Sequence, residues 1–129
     1  VRRICLSCIQ PAPPDPRETA WLQSFRGVAL DTNAFRRGAG CAHCNHVGYS
    51  GRIGVYELLE FHRGLTEVLA RGDSAEFFRV ARESEGFESL EKVALRYAVE
   101  GITTISEVMR IAADLDVVAA AGLTPAVRP

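Results

Sequence analysis

Residues 40–54 read Gly-Cys-Ala-His-Cys-Asn-His-Val-Gly-Tyr-Ser-Gly-Arg-Ile-Gly, a glycine-rich stretch with two cysteines separated by two residues. The same spacing occurs again in the segment Cys5-Leu6-Ser7-Cys8. A two-residue gap lets a tight turn aim both sulfurs at one point, and two such turns supply the four thiolates of a tetrahedral zinc site. The sequence therefore predicts Cys5, Cys8, Cys41 and Cys44 as the ligands of one zinc ion. Because four thiolates leave no open coordination position, that zinc would be structural.

Three other roles for the cysteines stay open at this point. A disulfide framework is disfavoured because no secretion signal precedes it and a chain of this size needs no covalent staples. A thioredoxin-like redox pair is disfavoured because no βαβ pattern surrounds the Cys41–Cys44 pair. His43 or His46 could replace one cysteine as a ligand, although an exposed or neighbouring position is the commoner outcome for a histidine beside four thiols. His62 is outside the cluster and is predicted to be a surface residue.

The residues around the cysteines predict strands, turns and one helix. Asp15 as N-cap, Pro16 and Glu18 mark the start of a helix of about three turns that ends before Gly27. From residue 28 to residue 60, short β-prone pieces alternate with glycines that suit tight turns. The best strand candidate is residues 52–59. We therefore predict a zinc-binding module over residues 1–60.

After residue 60 the apolar spacing becomes helical, and each predicted helix has an N-cap, an apolar stripe and a terminal glycine. The first helix covers residues 65–70 and stops at Gly72. The second starts at Asp73 with Glu76 as its capping-box partner and ends at Gly86. The side chains that it is predicted to bury are Phe77, Phe78 and Ala81.

Two further helices follow the same rule. One begins after Ser89 and ends at Gly101, and the other begins after Thr104, whose hydroxyl has capping-box spacing to Glu107. Their apolar stripes consist of Leu90, Val93, Ala94 and Tyr97 in the first, and Ile105, Val108, Met109 and Ala112 in the second. The predicted fold class is α+β, with a helical subdomain over residues 61–116 and a tail over residues 117–129. Since each part has its own apolar set, removing zinc should loosen residues 1–60 and leave the later helices folded.

Length, composition and charge exclude several classes of protein. The chain has 129 residues, of which 47% are hydrophobic and 24% are charged, a balance typical of one globular domain. Its longest apolar run is five residues, 117–121, against the roughly 18 needed to cross a bilayer, so no membrane insertion is expected. Residues 1–63 carry eight Arg and five acids, a net +3, whereas residues 64–129 carry seven basic and eleven acidic residues, a net −4. This basic excess is too small for a dedicated nucleic-acid binder.

Sequence motifs of catalysis are missing. The chain has no Gly-x-x-x-x-Gly-Lys-Ser/Thr loop to hold ATP phosphates and no Gly-x-Ser-x-Gly or His-Glu-x-x-His motif. We therefore predict no catalytic residues and no cofactor-binding residues other than the metal ligands.

The run of residues 40–59 closely resembles the metal-binding region of the secretion ATPases, the type II secretion and type IV pilus assembly motors. Residues 1–8 look like the stretch that follows the nucleotide-binding domain of that family, and residues 101–108 are similar to its last helical segment. The resemblance covers about residues 1–116. Leu6 replaces a proline that often occurs in the first cysteine pair, and residues 117–129 form a longer, alanine-richer end than the family leads us to expect.

The resemblance implies a C-terminal region of a hexameric cytoplasmic ATPase that powers pilus or pseudopilus assembly and protein transport. Carried over to this sequence, the four cysteines become zinc ligands, while ATP and Mg²⁺ would bind upstream of Val1. The implied partners are neighbouring subunits and inner-membrane platform components, which would hold the protein peripherally at the inner membrane. No nucleic acid is expected.

Two alternatives remain from the residues alone. One is a free-standing zinc-ribbon adaptor that binds nucleic acid or an acidic protein through a set of arginines, namely Arg2, Arg3, Arg36, Arg37 and Arg52. Phosphate binding by this set predicts an affinity that falls steeply with salt. The other is a redox-switched module whose thiols release zinc on oxidation.

Overall fold

A computed structural model of the chain describes residues 1–23 and 31–120, with side chains described as far as residue 113. The strands are β1 (Arg2–Ile4), β2 (Ile9–Pro11), β3 (Arg36–Gly38) and β4 (Tyr49–Arg52). The helices are α1 (Pro16–Leu22), α2 (Arg63–Ala70), α3 (Ser74–Glu83), α4 (Leu90–Val99) and α5 (Ile105–Ala120). Short strands with one helix, followed by four helices, confirm the predicted α+β class. Within the described residues, no helix combines the length and apolar character needed to cross a membrane.

The strands form two small antiparallel sheets that hold the two cysteine turns side by side. β1 pairs with β4, with Arg2 opposite Arg52, and β2 pairs with β3, with Ile9 opposite Gly38. The first cysteine pair lies between β1 and β2, and the second lies between β3 and β4. Because the two sheets join the flanks of both turns, residues 36 positions apart in the chain become neighbours.

The strand predicted over residues 52–59 is wrong beyond Arg52. β4 covers Tyr49–Arg52, and its pairing with the start of the chain reaches Ile53, whose N–H donates to the Val1 carbonyl at 2.9 Å. Residues 54–62 then run without regular structure, and Tyr56 and Leu58 are exposed. The residue types were those of a strand, but among the described residues no second strand lies beside them.

The predicted start of α1 is confirmed. Asp15 caps the helix by accepting a hydrogen bond from the Glu18 N–H at 2.7 Å, and the Glu18 carboxylate accepts one from the Asp15 N–H at 3.1 Å. The helix ends at Leu22 after about two turns, so it is shorter than predicted. Phe25 and Gly27 lie outside the described residues.

α2 and α3 form a pair that packs mainly on itself. Leu65 and Val68 of α2 and Ala81 of α3 are buried and do not belong to the main apolar cluster. Phe77 is half-buried, but Phe78 is 56% exposed, which corrects the prediction that α3 buries it. Asp73 caps α3 by accepting from the N–H of Glu76 at 3.0 Å. The other half of the predicted capping box is missing because the Glu76 carboxylate binds Arg79.

α4 and α5 begin where predicted and lie in the main core. In α4, Leu95 and Ala98 are buried beside the predicted Val93 and Ala94, whereas Leu90 and Tyr97 are half-buried. Thr104 accepts a long hydrogen bond of 3.3 Å from the Glu107 N–H, while the Glu107 side chain turns to Arg2 and completes no capping box. α5 continues through Ala120 and so includes the first four residues of the segment predicted as a tail. Residues 121–129 lie outside the described residues.

One apolar cluster joins the two predicted parts of the chain. Its buried members are Leu22 and Phe35 from the first part and Ala94, Leu95, Ala98, Ile105 and Val108 from α4 and α5. The apolar residues of the two predicted parts therefore belong to one shared core. The boundary at residue 60 stays a prediction, but the core that supports the cysteine turns extends across it.

Candidate metal centre

The structure brings the four predicted sulfurs together. The Sγ atoms of Cys5, Cys8, Cys41 and Cys44 all lie within 4.8 Å of one another. Three of the Sγ–Sγ distances are 3.9 Å for Cys5–Cys41, 3.9 Å for Cys8–Cys44 and 3.8 Å for Cys41–Cys44. A tetrahedron with Zn–S bonds of about 2.3 Å has edges of about 3.8 Å, so the sulfurs already have the spacing of a zinc site.

The same distances bear on the alternatives. All four cysteines are free, and their sulfurs are far beyond the roughly 2.05 Å of a disulfide bond. His43 and His46 are both exposed, and neither belongs to the cluster. His62 is also exposed and shares a hydrogen bond of 2.9 Å with Ser84, as suits the predicted surface position. The donor set is therefore four sulfurs, which suits zinc.

Each cysteine pair sits on a tight turn that the sequence between its members permits. The N–H of Cys8 donates to the carbonyl of Cys5 at 3.2 Å, and the N–H of Cys44 donates to that of Cys41 at 3.1 Å. After Cys44 the chain reverses through two left-handed residues, Asn45 with φ 52° and His46 with φ 62°. Asn is among the residues that best tolerate this conformation, so the turn depends on position 45 in particular.

Glycines close the loop that carries the second cysteine pair. A Cβ on Gly38 would collide with the backbone of Gly48, and Gly48 itself has φ +77°. The Gly48 carbonyl accepts from the N–H of Cys5 at 3.0 Å, which ties the second turn to the first. At Gly38 and Gly48, glycines that were predicted to suit tight turns occupy positions where a Cβ would collide with backbone atoms.

Backbone N–H groups point at the sulfurs. The N–H groups of Cys41 and Gly48 donate to Cys44 Sγ at 3.2 and 3.3 Å, and the N–H of Gly40 donates to Cys8 Sγ at 3.3 Å. The bond from Cys41 is the main cause that lowers the pKa of Cys44 to about 6, whereas desolvation raises the pKa of Cys8 to about 12. Donors of this kind stabilise negative charge on sulfur, the form in which cysteine binds metal.

A buried carboxylate fastens the metal centre to α5. Glu107 is only 2% exposed, and its Oε1 accepts from Nε and Nη2 of Arg2 at 3.0 and 2.8 Å. Its Oε2 accepts from the Arg2 backbone N–H at 2.9 Å and from Arg110 at 3.1 Å. Burial raises the pKa of Glu107, but these hydrogen bonds outweigh that effect and bring it to about 2. The sequence analysis missed this contact, because nothing along the chain connects positions 105 residues apart.

Comparison with known proteins adds to the geometry. The family described as type II/IV secretion system protein matches residues 1–110. The chain belongs to this family. The match covers both cysteine pairs and most of the helices, which confirms the resemblance found in residues 40–59.

Curated relatives are similar to this type II/IV secretion system protein over most of its length. The type IV pilus assembly ATPase PilB of Pseudomonas aeruginosa is 34% identical over 114 residues, 88% of this chain and 20% of the relative. PilB of Myxococcus xanthus is 35% identical over 108 residues, 84% of this chain and 19% of the relative. The type II secretion system ATPase E of Vibrio cholerae is 33% identical over 115 residues, 86% of this chain and 21% of the relative. The chain thus spans about a fifth of the length of these relatives.

The five arginines of the adaptor alternative do not share one surface. Arg2 and Arg3 are consecutive in β1, so their side chains point to opposite faces, and Arg2 is held by Glu107. Arg36 and Arg37 lie in the other sheet, where Arg36 donates to the carbonyls of Asn33 and Phe35. A continuous track of phosphate contacts would need these side chains on one face.

Proposed function

We propose that Cys5, Cys8, Cys41 and Cys44 bind one structural zinc ion in the C-terminal part of a secretion or pilus assembly ATPase. The observation that carries this proposal is the arrangement of the four sulfurs within 4.8 Å of one another. Three backbone N–H groups aimed at Cys8 and Cys44 support it, because they favour the thiolate form. With four sulfur ligands, the zinc has no position for a substrate, so its role is to hold the two turns together.

We infer that the parent protein is a hexameric ATPase that powers assembly of a pilus or pseudopilus. Membership of the family and the names of the relatives support this inference. The chain has no phosphate-binding loop, so ATP and Mg²⁺ would bind to another part of the protein. This part would serve in structure and interaction, on the cytoplasmic side, with neighbouring subunits and inner-membrane platform components as partners.

The zinc would influence the motor indirectly, by fixing the positions of structural elements around the cysteine turns. β1 carries Arg2 into the contact with Glu107 on α5, and the Ile4 N–H donates to the Ile102 carbonyl at 2.9 Å. Tyr49 shares a hydrogen bond of 2.9 Å with Thr104 at the start of the same helix. The sheet beside the zinc turns thus fixes the position of α5, so loss of zinc would reach a helix that contributes no ligand.

Metal analysis of protein purified under reducing conditions tests the ligand assignment. We expect about one zinc per chain and protection of all four thiols from alkylation. Cys44→Ala should lose the zinc, whereas the matched control His43→Ala, one residue away in the same turn, should keep it. A wild-type chain without stoichiometric zinc, or equal zinc loss in the two variants, would contradict the proposal.

The role in a motor is tested in the complete gene product. We expect it to contain a phosphate-binding loop and to hydrolyse ATP. Cys44→Ala should there impair pilus or pseudopilus assembly more than it impairs nucleotide binding. A complete product without such a loop would favour the zinc-ribbon adaptor, and so would binding of nucleic acid that weakens steeply with salt.

A further inference from the structure

Three phenylalanine rings form an apolar face on the α2–α3 pair. The Phe77 ring of α3 lies beside Phe61, with ring centroids 6.1 Å apart, and beside Phe78, with ring centroids 6.0 Å apart. Phe61 and Phe78 are each more than half exposed, and Phe77 is half-buried. Single apolar residues are normal on a protein surface, but an exposed aromatic cluster is typical of a site where another protein binds. We call these three rings the phenylalanine face.

A pocket with two carboxylates lies next to the phenylalanine face. It has a volume of about 270 Å³ and is bordered by Leu58, Glu60, Glu85 and Gly86. Glu60 directly precedes Phe61 in the chain. The hydrogen bond of 2.9 Å between His62 and Ser84 holds this segment beside the end of α3. Glu60 and Glu85 are exposed, and neither has an ion-pair partner among the described residues. We call this pocket the acidic pocket.

The region around the phenylalanine face is negatively charged. Residues 54–88, all of them described, carry eight acidic residues and four arginines, a net charge of −4. Two of these arginines, Arg63 and Arg79, already pair with carboxylates of their own helices. Complementary charge steers partners together, and like charge keeps them apart. The surface therefore favours a basic partner, whereas two copies of it would repel each other, and an anionic membrane would repel it as well.

We propose that the phenylalanine face and the acidic pocket bind a segment of another protein in which a basic side chain stands next to apolar ones. The aliphatic stem of an arginine or lysine would lie along Leu58, while its charged end reaches the carboxylates of Glu60 and Glu85. The apolar neighbours in the segment would pack on Phe61 and Phe78. The two halves of the surface thus recognise two features of one segment.

This docking site gives the interaction role in the proposed function a surface and a partner chemistry, and in that respect it rests on the proposed function. The two proposals can nevertheless fail separately. Zinc content and ATP hydrolysis test the metal centre and the motor, and the α2–α3 surface contributes no zinc ligand. Its buried residues also lie outside the main apolar cluster, so changes on this surface should leave the metal centre intact.

Photo-crosslinking in cells that produce the complete gene product tests which molecule covers this surface. Phe78→p-benzoylphenylalanine keeps an aromatic side chain at an exposed position and reacts with whatever lies against it. We expect a crosslink to a different protein, in a segment that has Arg or Lys within a few positions of apolar residues. The control is Lys92→p-benzoylphenylalanine, since Lys92 is exposed on α4 outside the phenylalanine face, and it should not give this crosslink. The proposal is wrong if position 78 gives no crosslink or the same crosslink as position 92. It is also wrong if position 78 reacts with lipid, with the protein's own chain, with a second copy or with a segment that lacks basic residues.

Titration with the crosslinked segment, synthesised as a labelled peptide, tests the chemistry of binding. Fluorescence anisotropy should show saturable binding to the complete, zinc-loaded protein that weakens at higher salt. We expect the affinity to fall about tenfold in Phe78→Ser and about fivefold in Glu85→Gln. The matched controls should bind like the wild type: Val47→Ser removes an apolar side chain of similar exposure, and Glu100→Gln changes the net charge equally. Equal weakening in the variants and their controls, or no binding to the wild type, would overturn the proposal.

Discussion

The α2–α3 pair and the α4–α5 pair have the same local sequence signals and different places in the molecule. Each pair has N-caps, apolar stripes and a glycine in the left-handed conformation, Gly72 with φ +70° in one and Gly101 with φ +73° in the other. Yet α4 and α5 share an apolar cluster with Leu22 and Phe35, whereas Leu65, Val68 and Ala81, the buried residues of α2 and α3, lie outside that cluster. Local signals therefore specify helices, and long-range contacts decide which helices depend on the metal centre.

The ion pairs also differ between the α2–α3 pair and the α4–α5 pair. Glu107 on α5 is buried and binds a residue 105 positions away. The ion pairs within α2 and α3 join residues three or four apart on exposed surface, as between Arg63 and Glu67. Buried pairs that lose one partner are costly, whereas exposed pairs contribute little. The two regions should therefore respond differently to the same kinds of change.

Zinc removal should produce the largest effect and should separate the two pairs of helices. Chelation under reducing conditions removes an apparent binding free energy of order 10 kcal/mol that the turns depend on. Hydrogen exchange should then accelerate in residues 1–53 and also in α4 and α5, because these helices share the core with the sheet region. α2 and α3 should change less. Equal acceleration across residues 63–112 would show that the α2–α3 pair depends on the zinc as well.

Alanine at a glycine should be far more harmful in the metal centre than between α2 and α3. Gly38→Ala places a Cβ against the Gly48 backbone, so the two ends of the loop that holds Cys41 and Cys44 must separate, at a cost of at least about 3 kcal/mol. Gly72→Ala meets no neighbour within 4 Å and costs only the strain of its positive φ, about 1 kcal/mol. Denaturant unfolding gives the free energies, and zinc content should fall only in Gly38→Ala. A similar loss of unfolding free energy in both variants would contradict the difference in packing around the two glycines.

Neutralising the buried carboxylate should cost less than opening the loop around Cys41 and Cys44. Glu107→Gln keeps the shape of the side chain but loses the charge that binds Arg2 and Arg110, and it should destabilise the fold by about 3 kcal/mol. The matched control on α3 is Glu83→Gln, whose side chain is 65% exposed. It should have little effect on the free energy of unfolding.

The effect of Glu107→Gln on the free energy of unfolding should depend on pH in a predictable direction. Because the pKa of Glu107 falls from its usual 4.5 to about 2 in the folded protein, its charge stabilises the fold fully above about pH 4.5. This stabilisation is lost as pH falls towards 2. The difference in unfolding free energy between wild type and Glu107→Gln should therefore be constant near neutral pH and shrink below about pH 4.5. Subtracting the two proteins at each pH removes the contribution of zinc release, which both share.

Much of the site could be predicted from the sequence because its determinants are local. Two cysteine pairs of equal spacing predicted one cluster, and glycines predicted tight turns; the structure has the cluster, and Gly40, Gly48 and Gly51 have the positive φ of turn glycines. The cap of α1 at Asp15 was also predicted, since the acceptor and the donor lie three residues apart. In each of these features, the interacting residues lie within a few positions of each other in the sequence, or they are brought together by a shared metal ion.

The errors arose where a distant partner decides the outcome. Residues 52–59 have the composition of a strand, but pairing needs a neighbour, and among the described residues pairing stops at Ile53. Glu76 and Glu107 were both assigned to capping boxes, and arginines compete successfully for both carboxylates. Phe78 was predicted to be buried, but it is 56% exposed, while the neighbouring Phe77 ring contacts Phe61. Composition specifies what a residue prefers, and tertiary contacts decide whether that preference is met.

The smallest effect should come from the most elaborate ion pairs in the α2–α3 region. Arg79 lies 2.6 Å from Glu76 and 2.7 Å from Glu83, and these contacts raise its pKa, yet its side chain is 55% exposed. Water screens such pairs, and holding two long side chains in place costs entropy. Arg79→Gln should therefore shift the thermal midpoint no more than Arg82→Gln, an exposed arginine on the same helix without an ion pair to a described residue. If Arg79→Gln lowered the thermal midpoint clearly more than Arg82→Gln, the exposed ion pairs would stabilise α3. Burial would then explain less of the difference between Arg79 and Glu107 than we infer.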